Sequence, residues 1–296
     1  MSQALPQRPW RRAWIATRRR LWFVLAAFAI VAASYLLGRD VLFDYADRIG
    51  IDAERSRRAA QAGLQQALPG TPDLGNLSAR LAGSGLAMGA PIFMRIFKRE
   101  FELELWMRKG DRFERFAVYP ICRWSGDLGP KLREGDSQAP EGFYTVDAKA
   151  LNPASRWHRS FNLGFPNAFD RAHNRTGSFL MVHGGCASVG CFAMTDGVVD
   201  EIWRIVTAAF QAGHRRFHVH VFPFRLSEEN LTRRAYHPSA GFWRDLKAGY
   251  DSFEATQLVP RIGVCAGRYI VTQATGPGDG GHEIANSCIN LTDKKG

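Results

Sequence analysis

A histidine and a thiol stand eight residues apart in His183-Gly184-Gly185-Cys186-Ala187-Ser188-Val189-Gly190-Cys191, after an apolar run and before a helix-start signal. A cysteine attacks an acyl carbon as thiolate, so it requires a base within reach and a backbone N–H aimed at the developing oxyanion. Cys191 is the candidate nucleophile and His183 the candidate base. The alternative is chemically silent: a small buried cysteine beside glycine and a satisfied core or surface histidine. His-Gly and Ser-Val-Gly-Cys on one short segment favour the reactive reading.

The flanking pattern supplies elements to hold this pair. Phe179 to Val182 reads as a strand that delivers His183 to a sheet edge, and the small residues through Gly190 let the chain fold back. Thr195 or Asp196 then caps a helix with the apolar positions Val198, Val199, Ile202, Val206, Ala209 and Phe210. From Pro91 the texture is alternation: Ile92, Met94, Ile96; Phe101, Leu103, Leu105; then Phe113 to Ile121 after the turn Lys109-Gly110-Asp111. Gly142 to Val146 continues the sheet signal. Phe217 to Phe222 alternates so that His218 and His220 share one face and Phe217, Val219 and Val221 the other. The long stretches 123–142 and 151–177 carry the turn-forming and polar residues of loops that line sites.

The 296 residues are 46% hydrophobic and carry a net charge of +11, enough apolar content for a sizeable core. Arg8, Arg11, Arg12, Arg18, Arg19 and Arg20 account for six of the 39 basic residues, leaving 33 against 28 acidic, or +5. That dispersed excess, without zinc-finger spacing, an RNP-like run or a Walker loop, argues against nucleic acid. Residues 1–20 read as a basic cytoplasmic N-terminus. Residues 21–37 lack charge and as a helix span about 26 Å, the short end of a transmembrane segment, with the arginine bias placing the bulk of the chain outside the cytoplasm. A cleaved signal peptide ending near Val31-Ala32-Ala33 is the competing reading. Residues 38–90 read as a spacer with a helix over 52–68, and residues 271–296 as a disordered tail. Five cysteines, Cys122, Cys186, Cys191, Cys265 and Cys288, are an odd number for an oxidising compartment, so one is free or pairs between chains. A Cys186–Cys191 disulfide that silences the nucleophile is one arrangement open to them.

The segment around Cys191 resembles the catalytic domain of the YkuD-type L,D-transpeptidases, whose signature is His-Gly followed by Ser/Thr-x-Gly-Cys. Gly135-Asp136 and Ala139-Pro140-Glu141-Gly142-Phe143-Tyr144 also resemble segments of that family. Ile96 to Glu100, Ile121 to Gly126, Leu128 to Lys131, Phe165 to Arg171, Cys191 to Asp196 and Phe242-Trp243 to Tyr250 match its YafK-like murein branch. The likeness covers roughly residues 90–270. It implies a mostly β, α+β sandwich with a helix beside the catalytic loop, over residues 91–270. It also implies peptidoglycan stem peptides as substrate, a lipoprotein as one possible acceptor, and no metal or organic cofactor. Carried over, it makes Cys191 the nucleophile, His183 the base, the Gly184 carbonyl the orienter of the imidazole, and the Gly190 and Cys191 N–H groups the oxyanion donors. Two departures are a short His-to-Cys spacing and Ala193 where the family commonly has an arginine.

Trp124, Lys131, Arg171, His173 and Arg175 are candidates for substrate contact, the alternative for each being a solvated loop or core role. Two rival functions stand beside the thiol reading. One is a zinc hydrolase using His218 and His220 with His183 or His214; the other is a non-catalytic cell-wall-binding envelope protein.

Overall fold

The alternating segments pair into one five-stranded sheet, whereas the second five-stranded sheet, which carries His183, draws on residues 123–124 and 151–162 that read as loop in the sequence. The structure is a computed structural model describing residues 10–276, 278, 281–286 and 288. In chain order it contains α1 (Trp10–Gly63), α2 (Leu77–Ser84), β1 (Ile92–Phe97), β2 (Glu102–Lys109), β3 (Arg112–Pro120), β4 (Arg123–Trp124) and β5 (Gly142–Asp147). There follow β6 (Leu151–Ser155), β7 (His158–Asn162), α3 (Ala168–Ala172), β8 (Met181–His183), β9 (Phe192–Ala193) and α4 (Asp196–Gln211). β10 (Arg216–Phe222), α5 (Glu228–Arg233), α6 (Ala240–Thr256), β11 (Arg261–Cys265) and β12 (Arg268–Thr272) complete it. The chain divides at Asp47/Arg48, within α1, into two compact units, of which the second holds both sheets.

One sheet has the order β3-β2-β1-β10-β5 and the other β4-β9-β8-β7-β6, with β1–β10 and β8–β9 the parallel pairs. The sheets share one core, in which Phe161 of β7 meets Phe217 of β10 at 5.9 Å between ring centroids. α4 lays Val198, Val199, Ile202, Ile205, Val206 and Ala209 into it, following the periodicity of the sequence. Its N-cap is Thr195, in extended backbone but without a side-chain capping bond.

The architecture is mixed α+β with more helix than the sequence pattern announced. α6 covers the outer face of the first sheet through Trp243, Leu246 and Phe253, so the supposed polar face of β10 is buried. His220 lies between Phe93 and Phe143 at 4.7 and 4.6 Å. The loop 123–142 is fastened by a buried ion pair: Lys98 Nζ donates to Glu141 Oε1 (2.9 Å) and to the carbonyls of Asp127, Gly129 and Ala139. Glu141 also accepts from Trp243 Nε1 at 2.8 Å. Burying a lone charge is strongly unfavourable, and this set of partners offsets that cost while fixing the loop.

Parts of both flanking segments pack against the sheets. The spacer docks: Arg58 donates to the Ile121 carbonyl at 3.0 Å, Arg55 covers the Trp124 ring at 4.2 Å, and Leu77 and Leu81 join the core. The tail is packed through its described part, because Cys288 is disulfide-bonded to Cys265, Ile284 is buried, and Val264 pairs with Asn286. A polar, glycine-rich composition gave no sign of the crosslink at Cys288.

Within the N-terminal unit, residues 21–34 lie in α1 and expose Leu21, Trp22, Phe23, Val24, Leu25, Phe28, Ile30 and Val31. Among the described residues no helix is long and apolar enough to cross a membrane. Residues 1–9 of the basic N-terminus lie outside the described residues.

Candidate active site

β8 and β9 run side by side with His183 opposite Ala193, which returns the chain so that the segment between them closes a short loop. His183 and Cys191 both line one cleft of about 620 Å³, together with Arg123, Glu134, Trp157, Phe179 and Ser188. The close return depends on two glycines. Gly190 has φ +93°, a left-handed conformation that side chains resist. At Gly184 a Cβ would fall 2.5 Å from Asp196 Oδ1, and Asp196 in turn accepts the Gly185 N–H at 2.7 Å.

The imidazole is oriented by its neighbour's backbone: Nδ1 lies 2.6 Å from the Gly184 carbonyl oxygen. A carbonyl only accepts, so Nδ1 carries the proton and Nε2 is the basic nitrogen. Trp157 lies over this ring at 6.0 Å. Burial pushes the His183 pKa below its ordinary value, partly opposed by the Gly184 bond. Burial likewise pushes the Cys191 thiol up, opposed by the Met181 N–H and by the positive charge of Lys131. Both shifts favour the neutral thiol and imidazole over a thiolate and imidazolium pair. Cys191 Sγ accepts from the Met181 N–H and donates to the Phe179 carbonyl, each at 3.4 Å. Phe179 itself has φ +55° and stands outside β8, so the strand begins two residues later than its apolar pattern predicts.

The two backbone N–H groups expected to face an oxyanion are occupied by hydroxyls. Gly190 N–H donates to Ser125 Oγ at 2.5 Å and Cys191 N–H to Ser188 Oγ at 3.0 Å. The Cys191 carbonyl accepts the Ser188 hydroxyl at 2.6 Å. Neither serine was singled out in the sequence, where Ser188 is visible only as part of Ser-Val-Gly-Cys.

The cysteines resolve differently from the Cys186–Cys191 pairing considered above. Cys186 is bonded to Cys122, 64 residues away, and Cys191 is the free cysteine. This crosslink ties the His183–Cys191 loop to the start of β4. Replacing both Cys122 and Cys186 by alanine should cost about 4 kcal/mol of stability for a closed loop of that length. Urea unfolding of the full chain measures it, and an unshifted midpoint would refute the assignment.

The five candidate substrate residues are not brought into the cleft. Trp124 is fully buried against Phe101, with ring centroids 5.6 Å apart. Lys131 is buried and holds Asp136 at 2.5 Å, acting on the thiol through its field alone. Arg175 is paired with Asp170 at 2.9 Å and covers Phe242 at 4.7 Å. His173 Nε2 lies 2.7 Å from the Gly267 carbonyl and Arg171 donates to the Pro166 carbonyl. Arg171 and His173 are exposed, while Arg175 and Lys131 are buried in their ion pairs.

The zinc ligand set is also not assembled. His218 Nε2 is bound to the His282 carbonyl (2.9 Å) and its Nδ1 faces His220 Nε2 (3.4 Å), while His214 Nε2 bonds the Gly89 carbonyl and His183 sits in the other sheet. Among the described residues no three side chains of metal-ligating type are grouped to hold an ion.

This chain belongs to the L,D-transpeptidase family: the YkuD catalytic-domain model of that family matches residues 98–221. Over 186 residues it is 45% identical to YafK of Escherichia coli K12, a candidate L,D-transpeptidase, covering 63% of this chain and 76% of that protein. The same identity and coverage hold for YafK of Escherichia coli O157:H7. Among solved structures, the helical cell shape determining protein Pgp2 of Campylobacter jejuni aligns at 16% identity and a TM-score of 0.37, over 59% of this chain and 65% of that one. Bd1075 of Bdellovibrio bacteriovorus aligns at 18% identity and a TM-score of 0.34, over 56% and 59%. This chain therefore spans less than two thirds of either of those structures.

Proposed function

We propose that this protein is a cysteine-dependent enzyme that modifies peptidoglycan through an acyl-enzyme on Cys191. Membership of the L,D-transpeptidase family supports the peptidoglycan role. The observation that carries the chemistry is a free thiol and a carbonyl-oriented imidazole lining one cleft. His183 Nε2 takes the thiol proton as Sγ bonds to the acyl carbon of a stem peptide. The amide C–N bond then breaks, and the imidazolium returns the proton to the leaving amine. An acceptor amine, including one on an envelope lipoprotein, or water next attacks the thioester, giving a proton to His183 Nε2; the C–S bond breaks and the imidazolium returns that proton to the Cys191 thiolate. The oxyanion sits on the Gly190 and Cys191 N–H groups, displacing the Ser125 and Ser188 hydroxyls by rotation of their side chains. Incubating the full chain with purified muropeptides and resolving products by mass tests this. Cross-linked or lipoprotein-linked products mark transfer, shortened ones mark hydrolysis, and tight wall binding without turnover, indifferent to Cys191 replacement, would overturn it in favour of a scaffold.

We further propose that residues 21–37 anchor the chain in the inner membrane, or direct its export before cleavage, with the catalytic domain in the periplasm. The exposed apolar residues of 21–34, the arginines before them and two disulfides support it. A reporter fused after residue 90 should be active only outside the cytoplasm. Cytoplasmic activity would reverse the orientation.

A further inference from the structure

Ala193 stands two residues after Cys191 and is wholly buried and uncharged. What lies beside it is set by register rather than by sequence. β9 places Ala193 opposite His183 on β8 and opposite Arg123 on β4. Residues at one register position across a sheet project to the same face, and Cys191, in the bend just before β9, lines the same cleft as His183 and Arg123. His183 and Arg123 therefore flank the small Ala193 from opposite sides, and both line the cleft that holds the thiol. Arg123 is half-buried, and among the described residues its guanidinium makes no ion pair or hydrogen bond. Arg156 lines the same cleft with its guanidinium 5.3 Å from the Trp157 ring, and Glu134 is the acidic residue of that lining.

An unpaired guanidinium in a partly closed cleft is a fork for a planar anion, and a carboxylate matches it with two parallel hydrogen bonds. The side chain at 193 is too small to block that approach. We propose that Arg123 binds a free carboxylate on the residue whose carbonyl Cys191 attacks, so that the protein selects acidic over amidated acyl donors. The proposal rests on the acyl-enzyme reading above. Arg123 acts in ground-state binding and in alignment of the donor carbonyl with the thiol, and takes no part in proton transfer.

The test uses the full chain and two muropeptide donors that differ only in whether the residue bearing the attacked carbonyl also carries a free carboxylate or a carboxamide. Wild type should acylate with a kcat/KM about 10- to 100-fold higher for the acid, the range of a charge-assisted hydrogen-bonded pair. Arg123→Gln should lose that preference by slowing with the acid donor alone, and Arg123→Lys should regain part of it. A second readout needs no peptide: alkylation of Cys191 by iodoacetate relative to iodoacetamide should fall in Arg123→Gln. An acyl-enzyme formed with no acid preference, or with one unchanged in Arg123→Gln, overturns this assignment alone. No acyl-enzyme from either donor overturns the acyl-transfer reading and this one with it.

Discussion

Cys191→Ser should give a folded protein whose turnover of muropeptides falls on the order of 10⁶-fold, the scale of losses when a nucleophile is removed from an assembled site. The substitution changes one atom of a side chain that is 7% exposed and makes two weak sulfur hydrogen bonds, so stability should move little. Serine keeps the shape and loses the acidity: its hydroxyl cannot be deprotonated appreciably by an imidazole whose own pKa burial has lowered. Single-turnover kinetics beside thermal unfolding separates the two effects. Substantial residual turnover in a folded Cys191→Ser protein would remove the thiol from the mechanism.

His183→Ala should lower acylation by about 10² to 10⁴, the usual worth of general-base assistance. His218→Ala and His220→Ala should act mainly on stability, because both rings are fully buried away from the cleft. The pH dependence follows from the directions of the shifts. With His183 held below its ordinary pKa and Cys191 above its own, acylation should persist below the usual imidazole range and fall only as His183 takes up a proton. Burial likewise holds His218 and His220 well below the ordinary histidine pKa of about 6.5. The unfolded chain protonates them first, so stability is full above that value and declines as pH drops below it. Acid inactivation by unfolding is therefore to be separated from protonation of His183 by following the fold alongside the rate. Abolition of turnover in folded His218→Ala, together with inhibition of the wild type by chelator, would replace the thiol mechanism with a metal one.

Local pattern carried the strands of the first sheet and α4, and it drew attention to His183 and Cys191, since each depends on periodicity or on residues a few positions apart; β6, β7 and α3 escaped it within a stretch that read as loop. What escaped was non-local. Nothing in the spacing of five cysteines distinguishes Cys122–Cys186 from Cys186–Cys191, because the crosslink joins positions 64 residues apart that meet only after β4 pairs with β9. Arg123 appeared as one residue of a motif; its place opposite Ala193 is a matter of register, which no linear pattern displays. Lys131, Arg171 and Arg175 read as candidates for substrate contact because charge is visible in sequence and its partners, Asp136, the Pro166 carbonyl and Asp170, are not. The face bearing His218 and His220 looked polar because α6 and the tail that cover it lie outside the strand.

The central claim, an acylatable thiol at Cys191, is tested most directly by the intact mass of the full chain after incubation with a carbapenem, followed by mapping of the modified peptide. The strained lactam carbonyl supplies an acyl group without dependence on the true substrate. The account predicts one adduct per chain, located on Cys191 and lost in Cys191→Ser. An adduct that persists in Cys191→Ser, or that maps to Cys186, would contradict it.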